Sequence, residues 1–322
     1  MSKKKLVILL ASDSELRPGI VEIASRLANV VITRNAADAA RELQDAQGLF
    51  LWDFSNPLGD TPPPPSLAWI HTATLGVDSV LTAAVVSSGI VVSNTRGVFE
   101  RPIAEYVLGL LLAIAKDFRR TFANQRDEVW QWRPTRRIAG QKVVLIGPGA
   151  IGKEIYTMLA AAGMTVLPVG RHARSGDPHF GRVYSTSQLA ELLGDADAVV
   201  LSLPLTSTTR GFMTRSLISM MKPGASFINV GRGGLVDEPA LIEALQARRI
   251  GVAALDVFMQ EPLPQGHALW KLDNVIVSPH MSGDTHGFGD LIASQFLENL
   301  TRWSEGRAVH NVVDKHKLSA SR

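Results

Sequence analysis

A chain of 322 residues, 46% hydrophobic and 20% charged, has the length of two domains and the composition of an ordinary globular enzyme. The formal net charge is only +3, and no stretch interleaves dense basic residues with aromatic ones, so a nucleic-acid partner is not expected. The lack of cysteine excludes disulfides, thiolate nucleophiles and cysteine-ligated metals, and it fits the cytoplasm. No metal site is expected.

The amino-terminal residues imitate a secretory signal, because lysines precede an apolar run over residues 6–11. Asp13 and Glu15 follow at once, without a small-residue cleavage site, so the run is predicted to be a buried strand. No apolar run reaches the roughly 18 residues that a membrane helix needs, and no membrane partner is expected. A cytoplasmic location is the corresponding prediction.

Strand and helix patterns alternate along the first part of the chain, which predicts an open α/β unit of its own. Strands are predicted over 6–10, 29–33, 48–52, 67–72 and 91–93, and helices over 19–27 and 36–45. A long apolar helix is predicted next, over about 103–122. A loop rich in tryptophan and arginine leads from it to residue 142.

The alternation resumes after residue 142 with the stronger apolar runs of a doubly wound sheet. Buried strands are predicted over 142–146, 165–169, 198–203, 226–230, 251–255 and 274–278. An amphipathic helix over about 291–303 closes the pattern.

The most informative motif is the glycine pattern of residues 147–152, which lies between a predicted strand and a predicted helix. In such a βαβ unit Gly147 permits the tight turn, Gly149 lets the backbone approach a pyrophosphate, and Gly152 lets the helix pack against the strand. The helix N-terminus then offers free N–H groups to phosphates. The motif in this setting predicts a dinucleotide site.

Candidate catalytic side chains follow three later strands of the second half. Arg232, Glu261 and His280 come after predicted strand ends, where open α/β sheets bind their ligands. An arginine offers a planar fork to a carboxylate, a histidine exchanges one proton near neutral pH, and a glutamate can orient the imidazole. These groups are suited to hydride transfer between a nicotinamide and a 2-oxo acid.

The chain resembles the D-isomer-specific 2-hydroxyacid dehydrogenases, a family that includes glyoxylate/hydroxypyruvate reductases and phosphoglycerate dehydrogenases. Matching motifs run nearly end to end, at residues 75–78, 94–97, 104–105, 147–152, 203–206, 221–224, 229–237, 256–262, 278–280 and 311–314. The resemblance implies a Rossmann cofactor domain, residues 99–288, inserted into a discontinuous flavodoxin-like substrate domain, residues 1–98 and 289–322. It implies an active site between the two domains.

By resemblance, Arg232 binds the substrate carboxylate and carbonyl, His280 donates the proton in reduction, and Glu261 is its partner. The amides of Leu75 and Gly76 would bind the same carboxylate. The resemblance also implies a homodimer, with part of its contact around residues 100–140. The implied cofactor contacts are Gly147, Pro148, Gly149, Ala150, Ile151, Gly152, Arg171, His172, Arg174, Leu203, Pro204, Val230, Gly231, Arg232, Asp256 beside the nicotinamide carboxamide, and His280.

One departure from the family pattern concerns the cofactor. Relatives that prefer NAD end the second strand on an acidic residue, which holds the ribose 2′-hydroxyl. Here Gly170 stands at that position and would leave room for a 2′-phosphate, with Arg171 and Arg174 close behind it. The predicted donor is therefore NADPH, with NADH as the second option.

The predicted activity is reduction of a small 2-oxo acid, such as glyoxylate or hydroxypyruvate, to the D-2-hydroxy acid. Two alternatives remain on the same scaffold. One is a non-enzymatic dinucleotide-sensing protein like the C-terminal-binding corepressors, which can keep the Arg–Glu–His set. The other is a formate or phosphite dehydrogenase.

Overall fold

The structure is a computed structural model that describes residues 3–10, 18–52 and 55–315. The chain divides into two compact units, Met1–Val98 with Thr285–Arg322, and Phe99–Asp284. The second segment of the first unit begins at Thr285, a few residues before the boundary at residue 289 that the sequence predicts. Each unit contains its own parallel sheet flanked by helices, so the predicted α/β class is confirmed.

The first unit has a five-stranded parallel sheet with the order β2-β1-β3-β4-β5, which is the flavodoxin-like order. The last helix of the chain, Phe288–Ser304, belongs to this unit. The other elements are β1 (Lys5–Leu9), α1 (Pro18–Leu27), β2 (Asn29–Thr33), α2 (Ala36–Glu42), β3 (Gly48–Leu51), β4 (Trp69–Thr72), α3 (Ala83–Ser87) and β5 (Val91–Asn94).

The core of this unit follows the period of two that a strand imposes. Leu49 and Leu51 of β3 belong to one apolar cluster, together with Ile70 of β4. The intervening Phe50 stacks on Phe296 of the last helix, with ring centroids 3.9 Å apart. Every residue of β3 and β4 is buried, as expected for the middle of a sheet that is covered on both faces.

The second unit has an eight-stranded sheet with the order β13-β12-β11-β10-β6-β7-β9-β8, parallel except for the edge strand β8. The strand order reverses between β6 and β10, which is the topological switch point of a Rossmann sheet. Its strands are β6 (Lys142–Ile146), β7 (Thr165–Gly170), β8 (Arg174–Asp177), β9 (Gly181–Ser185), β10 (Ala198–Leu201), β11 (Ser226–Asn229), β12 (Val252–Leu255) and β13 (Val275–Val277).

The helix predicted over 103–122 is wrong as a single element. The structure has α4 (Glu100–Ala115) and α5 (Phe118–Arg126), separated by Asp117 in the left-handed conformation with φ 51°. Aspartate tolerates this conformation better than most residues, and Arg133 Nε donates to its carboxylate over 2.8 Å. The other helices of this unit are α6 (Ala150–Ala161), α7 (Leu189–Leu193), α8 (Arg215–Met220), α9 (Glu238–Gln246) and α10 (Ala268–Lys271).

The hairpin of β8 and β9 was not predicted from the sequence. Its strands are short and polar, and Gly176 and Gly181 adopt positive φ values of 71° and 67°. Such a segment lacks the alternation of a half-buried strand, so its pattern does not differ from that of a loop. In the described ranges, none of the helices has the length and apolar character needed to cross a membrane.

His71 of β4 is a core residue whose burial has a consequence for stability. Its ring is fully buried among Phe50, Trp69 and Phe296, with Nδ1 2.8 Å from Ser93 Oγ. No described residue is a hydrogen-bond partner for Nε2, and burial lowers the pKa of His71 to about 3. The neutral ring is therefore the form that the folded protein accommodates.

We expect the free energy of unfolding to fall as the pH drops below about 6.5. In that range the His71 ring is protonated in the unfolded chain, whereas in the folded chain it stays neutral down to about pH 3. The contribution is up to about 1.4 kcal/mol per pH unit. Urea denaturation at pH 7.5 and 5 measures it. His71→Phe should reduce the difference, whereas His286→Phe, at an exposed position, should not. An unchanged difference in His71→Phe would contradict the assignment.

Candidate functional site

The glycine-rich turn of the second unit lies at the switch point of its sheet. It follows β6, and Gly147, with φ 109°, packs so closely on Ser202 after β10 that a Cβ would lie 2.8 Å from the Ser202 carbonyl oxygen. A Cβ at Gly152 would lie 2.1 Å from the Gly147 carbonyl oxygen. Both positions therefore require glycine, as the sequence predicted.

The start of α6 is open in the way that a phosphate site requires. Gly149 is its N-cap and supplies no side chain to the free N–H groups of the first turn. A Cβ placed on Gly149 would meet no described atom within 4 Å. The open cradle and the positive end of the helix dipole fit the pyrophosphate of a dinucleotide.

Gly170, at the end of β7, packs closely on its neighbours. A Cβ here would lie 3.0 Å from Pro148 Cγ of the glycine-rich turn and 3.4 Å from Val183 Cγ1 of β9. Arg171 and His172 follow on an exposed loop, and no other described residue forms an ion pair or hydrogen bond with the Arg171 side chain.

Glycines also bring the Arg232 loop against its neighbours. A Cβ on Gly231 would lie 2.8 Å from the Leu203 carbonyl oxygen, so the segments that follow β10 and β11 approach each other closely here. A Cβ on Gly233 would lie 1.9 Å from the Phe258 carbonyl carbon. The loop is fixed further by Asn229, whose amide donates to the Arg232 carbonyl oxygen over 3.0 Å and whose Oδ1 accepts from Gly231 N–H at 3.0 Å.

The predicted histidine–glutamate pair is present in the structure. His280 Nδ1 lies 2.7 Å from Glu261 Oε2, and the other oxygen, Oε1, accepts from the Phe258 N–H at 2.9 Å. Burial would raise the pKa of Glu261, but hydrogen bonds from His280 and Phe258 and the positive charges of His280 and Arg232 hold it below its usual value. Glu261 is therefore an anion at neutral pH, and Arg232 lies near enough to act on it.

Asp256, a predicted cofactor contact, makes its side-chain hydrogen bonds to the segment that contains His280. Its side chain is buried, with Oδ1 accepting from Ser278 Oγ at 2.7 Å and from Met281 N–H at 3.0 Å, while Oδ2 accepts from Ser282 N–H at 2.9 Å. The Asp256 carbonyl oxygen accepts from His280 N–H at 2.9 Å. Both ends of Asp256 therefore fix the turn that presents His280.

His280 itself has a backbone φ of 53°, in the left-handed region that a histidine rarely adopts. Such a conformation costs about 1–3 kcal/mol and persists only where its surroundings determine it. The four hydrogen bonds to Asp256 supply that determination. Strain at this residue coincides with the predicted catalytic group.

Three residues of this site were missed from the sequence: Ser278, Tyr106 and Asp284. Burial raises the pKa of the Tyr106 phenol, as does the charge of Asp256, while a hydrogen bond with Ser278 opposes them. Burial and the charge of Asp256 also raise the pKa of Asp284, and the charge of His280 lowers it. Ser278 was visible only as a residue of the Ser-Pro-His motif, and a tyrosine on α4 gives no sequence signal for proximity to β13.

Leu75 and Gly76 lie in the first unit, on the loop after β4. The Leu75 carbonyl oxygen accepts from the Asn94 amide at 2.7 Å, and the Gly76 carbonyl oxygen accepts from Thr74 Oγ1 at 2.7 Å. Both carbonyl groups are thus held inside the unit. Among the residues that the structure describes, none accepts a hydrogen bond from the N–H of Leu75 or Gly76.

The family model described as "D-isomer specific 2-hydroxyacid dehydrogenase, NAD binding domain" matches residues 108–282, more than half of the chain. The chain belongs to the D-isomer specific 2-hydroxyacid dehydrogenase family. The resemblance drawn from the motifs is thereby confirmed, and the matched residues lie within the second unit.

Relatives in this family differ in substrate. The chain is 35% identical over 260 residues to a glycerate dehydrogenase of Methylorubrum extorquens, covering 78% of this chain and 80% of the relative. It is 33% identical over 254 residues to a D-3-phosphoglycerate dehydrogenase of Methanocaldococcus jannaschii, covering 76% of this chain but only 47% of that relative.

Among solved structures of this family, an NADPH-dependent glyoxylate/hydroxypyruvate reductase from Sinorhizobium meliloti, in complex with NADP and sulfate, has a TM-score of 0.79 and 26% identity. The match covers 97% of this chain and 99% of that one.

We expect Asp256→Asn to lower the free energy of unfolding by about 1–3 kcal/mol, the cost of leaving a buried donor unsatisfied. An asparagine must turn its NH₂ group toward at least one of the donors that the carboxylate now accepts, and Ser282 is buried. Ser278→Ala, which removes only one donor, is the matched control and should cost about 1 kcal/mol. Urea denaturation measures both. Equal losses would argue that the carboxylate does not fix the turn.

Proposed function

We propose that this protein reduces a small 2-oxo acid to the D-2-hydroxy acid, with NADPH as hydride donor and His280 as proton donor. The observation that carries the proposal is the pair of His280 and Glu261, joined over 2.7 Å, with the charge of Arg232 acting on the same glutamate. An acid, its orienting partner and a cation for a carboxylate are the groups that this reaction needs.

The chemical roles follow from the geometry of the pair. Glu261 binds the Nδ1 side of the imidazole and stabilises its protonated form, which leaves Nε2 to deliver a proton to the carbonyl oxygen. Arg232 can offer its guanidinium to the substrate carboxylate and to the polarised carbonyl. The bound nicotinamide supplies the hydride.

The substrate class rests on the family and on its named members. One relative is called a glycerate dehydrogenase, and a structurally similar protein is called a glyoxylate/hydroxypyruvate reductase. We assign the N–H groups of Leu75 and Gly76, which have no acceptor among the described residues, to the carboxylate of the same substrate. The carboxylate is then recognised by backbone donors as well as by arginine.

NADPH is proposed as the donor because of the residues that follow β7. Gly170 has no carboxylate to repel a 2′-phosphate. Arg171 is exposed and not paired with a described residue, so its guanidinium is available to the phosphate. The Sinorhizobium meliloti reductase was solved in complex with NADP.

We also propose that the chain forms a homodimer through the segment after α4. Trp130 and Trp132 are 99% and 83% exposed, and Phe122 on α5 is 64% exposed. Large apolar side chains exposed together on one segment are typical of an interface. A cytoplasmic location remains the prediction from composition.

The proposal is tested with a panel of 2-oxo acids and both reduced cofactors, with kcat and KM measured for each pair. His280→Ala should lower kcat by roughly 10²–10⁴-fold, the usual contribution of a positioned general acid. Glu261→Gln should lower kcat by a smaller factor, because the carboxylate that accepts from Nδ1 and orients the ring is gone.

Another histidine–glutamate pair of the second unit, His267 with Glu238, supplies the control. His267 Nε2 lies 3.3 Å from Glu238 Oε1, outside the proposed machinery, and His267→Ala should keep kcat near that of the wild type. A His280→Ala variant with more than a tenth of the wild-type kcat would overturn the assignment. No turnover across the panel, with dinucleotide binding intact, would favour a binding protein.

The cofactor proposal predicts a 10- to 100-fold preference of kcat/KM for NADPH, since a charge-assisted hydrogen bond contributes about 1.5–3 kcal/mol. Arg171→Ala should raise KM for NADPH strongly and leave KM for NADH nearly unchanged. Arg248→Ala is the control, because Arg248 pairs with Asp273 ahead of the amino end of β12, away from the carboxyl ends of the strands. Equal kcat/KM for the two cofactors in the wild type would refute the proposal.

A further inference from the structure

The hairpin of β8 and β9 places Arg174 beside the proposed cofactor site. A Cβ on Gly170 would lie 3.0 Å from Pro148 Cγ of the glycine-rich turn and 3.4 Å from Val183 Cγ1 of β9. Val183 is in turn the register partner of Arg174, the first residue of β8. Arg174 thus lies on the edge strand β8, which β9 separates from the end of β7, and it follows Arg171 by three residues.

Arg174 is held by an acidic residue of its own hairpin. Its Nε lies 2.6 Å from Asp177 Oδ2. Asp177 Oδ1 accepts from the N–H groups of His179 and Phe180, each at 3.0 Å. The Asp177 side chain is only 12% exposed, against 46% for Arg174, so the carboxylate is the fixed member of the pair.

The Asp177 carboxylate is charged throughout the working range of an enzyme. Its hydrogen bond with Arg174 and those with the Phe180 and His179 backbones lower the pKa of Asp177 to about 2. A fixed anion at this point does two things. It engages the guanidinium of Arg174, and it repels a further anion that approaches the same loop.

We infer that Asp177 is a specificity-determining residue that keeps Arg174 from a 2′-phosphate, so that Arg171 alone provides the cation for it. The inference rests on the proposed dinucleotide function and deepens it. With Arg174 paired to Asp177, the preference for a 2′-phosphorylated cofactor is smaller than it would be if both Arg171 and Arg174 bound the phosphate. Removing the Asp177 carboxylate should therefore tighten binding of the 2′-phosphate.

Asp177→Asn is the decisive variant. The amide Oδ1 can still accept from His179 and Phe180, which preserves the turn, while the NH₂ group cannot accept from Arg174. Titration calorimetry with the full-length protein gives Kd for 2′,5′-ADP and for 5′-ADP, which differ in the 2′-phosphate. We expect Kd for 2′,5′-ADP to fall about tenfold and Kd for 5′-ADP to stay within about twofold.

Two further variants isolate the cause. Asp195→Asn removes the same charge from a pair with Lys142, which lies at the amino end of β6, away from the carboxyl ends of the strands. It should change neither Kd. In the double variant Arg174→Gln/Asp177→Asn, Kd for 2′,5′-ADP should return to near the wild-type value, because the gain requires the freed arginine. Circular dichroism and thermal melting check that each variant is folded.

The alternative outcomes are distinct. If Asp177→Asn weakens 2′,5′-ADP binding, Asp177 positions Arg174 for the phosphate, and the inference is overturned. An unchanged Kd also overturns it, because the pair then has no part in recognition. If wild-type protein binds neither nucleotide nor NADPH, the proposed cofactor function fails, which is a different result from binding that Asp177 does not affect.

Discussion

The buried carboxylate of Asp256 accepts hydrogen bonds from a side chain and two backbone N–H groups on the segment that contains His280. A buried charge is tolerated only where donors surround it, and here those donors come from the segment that must be held. The cost of burying the charge and the strain of a left-handed His280 are met by the same bonds. Without them the imidazole has no fixed direction toward Glu261.

Close backbone approach is the second constraint on the site. Gly147, Gly231 and Gly233 each lie where a Cβ would come within 3 Å of another segment's backbone. These contacts join the ends of β6, β10, β11 and β12 at one edge of the sheet. In a parallel sheet all carboxyl ends lie at that edge, so residues distant in sequence reach one site without long loops.

Much of this could be predicted from the sequence, because the signals are local. Apolar runs of four to six residues mark the buried strands of the second unit, and the position of His280 and Glu261 after such runs predicts that they meet. The observed ends of strands and helices differ from the predicted ends by a few residues. The break at Asp117 was not predictable from periodicity, because apolar residues continue across it and a distant partner, Arg133, stabilises the turn.

The hydrogen-bond and ion-pair partners of individual side chains could not be predicted from the sequence. Asp256 was assigned to the cofactor by resemblance, and its hydrogen bonds to Ser278, Met281 and Ser282 depend on how two loops fold back on each other. Asp177 lies in a polar hairpin without a periodic pattern, so its pairing with Arg174 could not be foreseen.

The consequence for the cofactor loop is electrostatic. Counting arginines after β7 suggests two cations for one phosphate. However, hydrogen bonds lower the pKa of Asp177 to about 2, so its carboxylate is ionised at neutral pH and the pair it forms with Arg174 carries no net charge. A neutral pair attracts a phosphate much less than a free guanidinium does. If NADPH is the donor as proposed, Arg171, which is exposed and not paired with a described residue, would dominate the interaction although both residues are arginines. The selectivity of such a loop is set by the acids that hold its cations as much as by the number of cations.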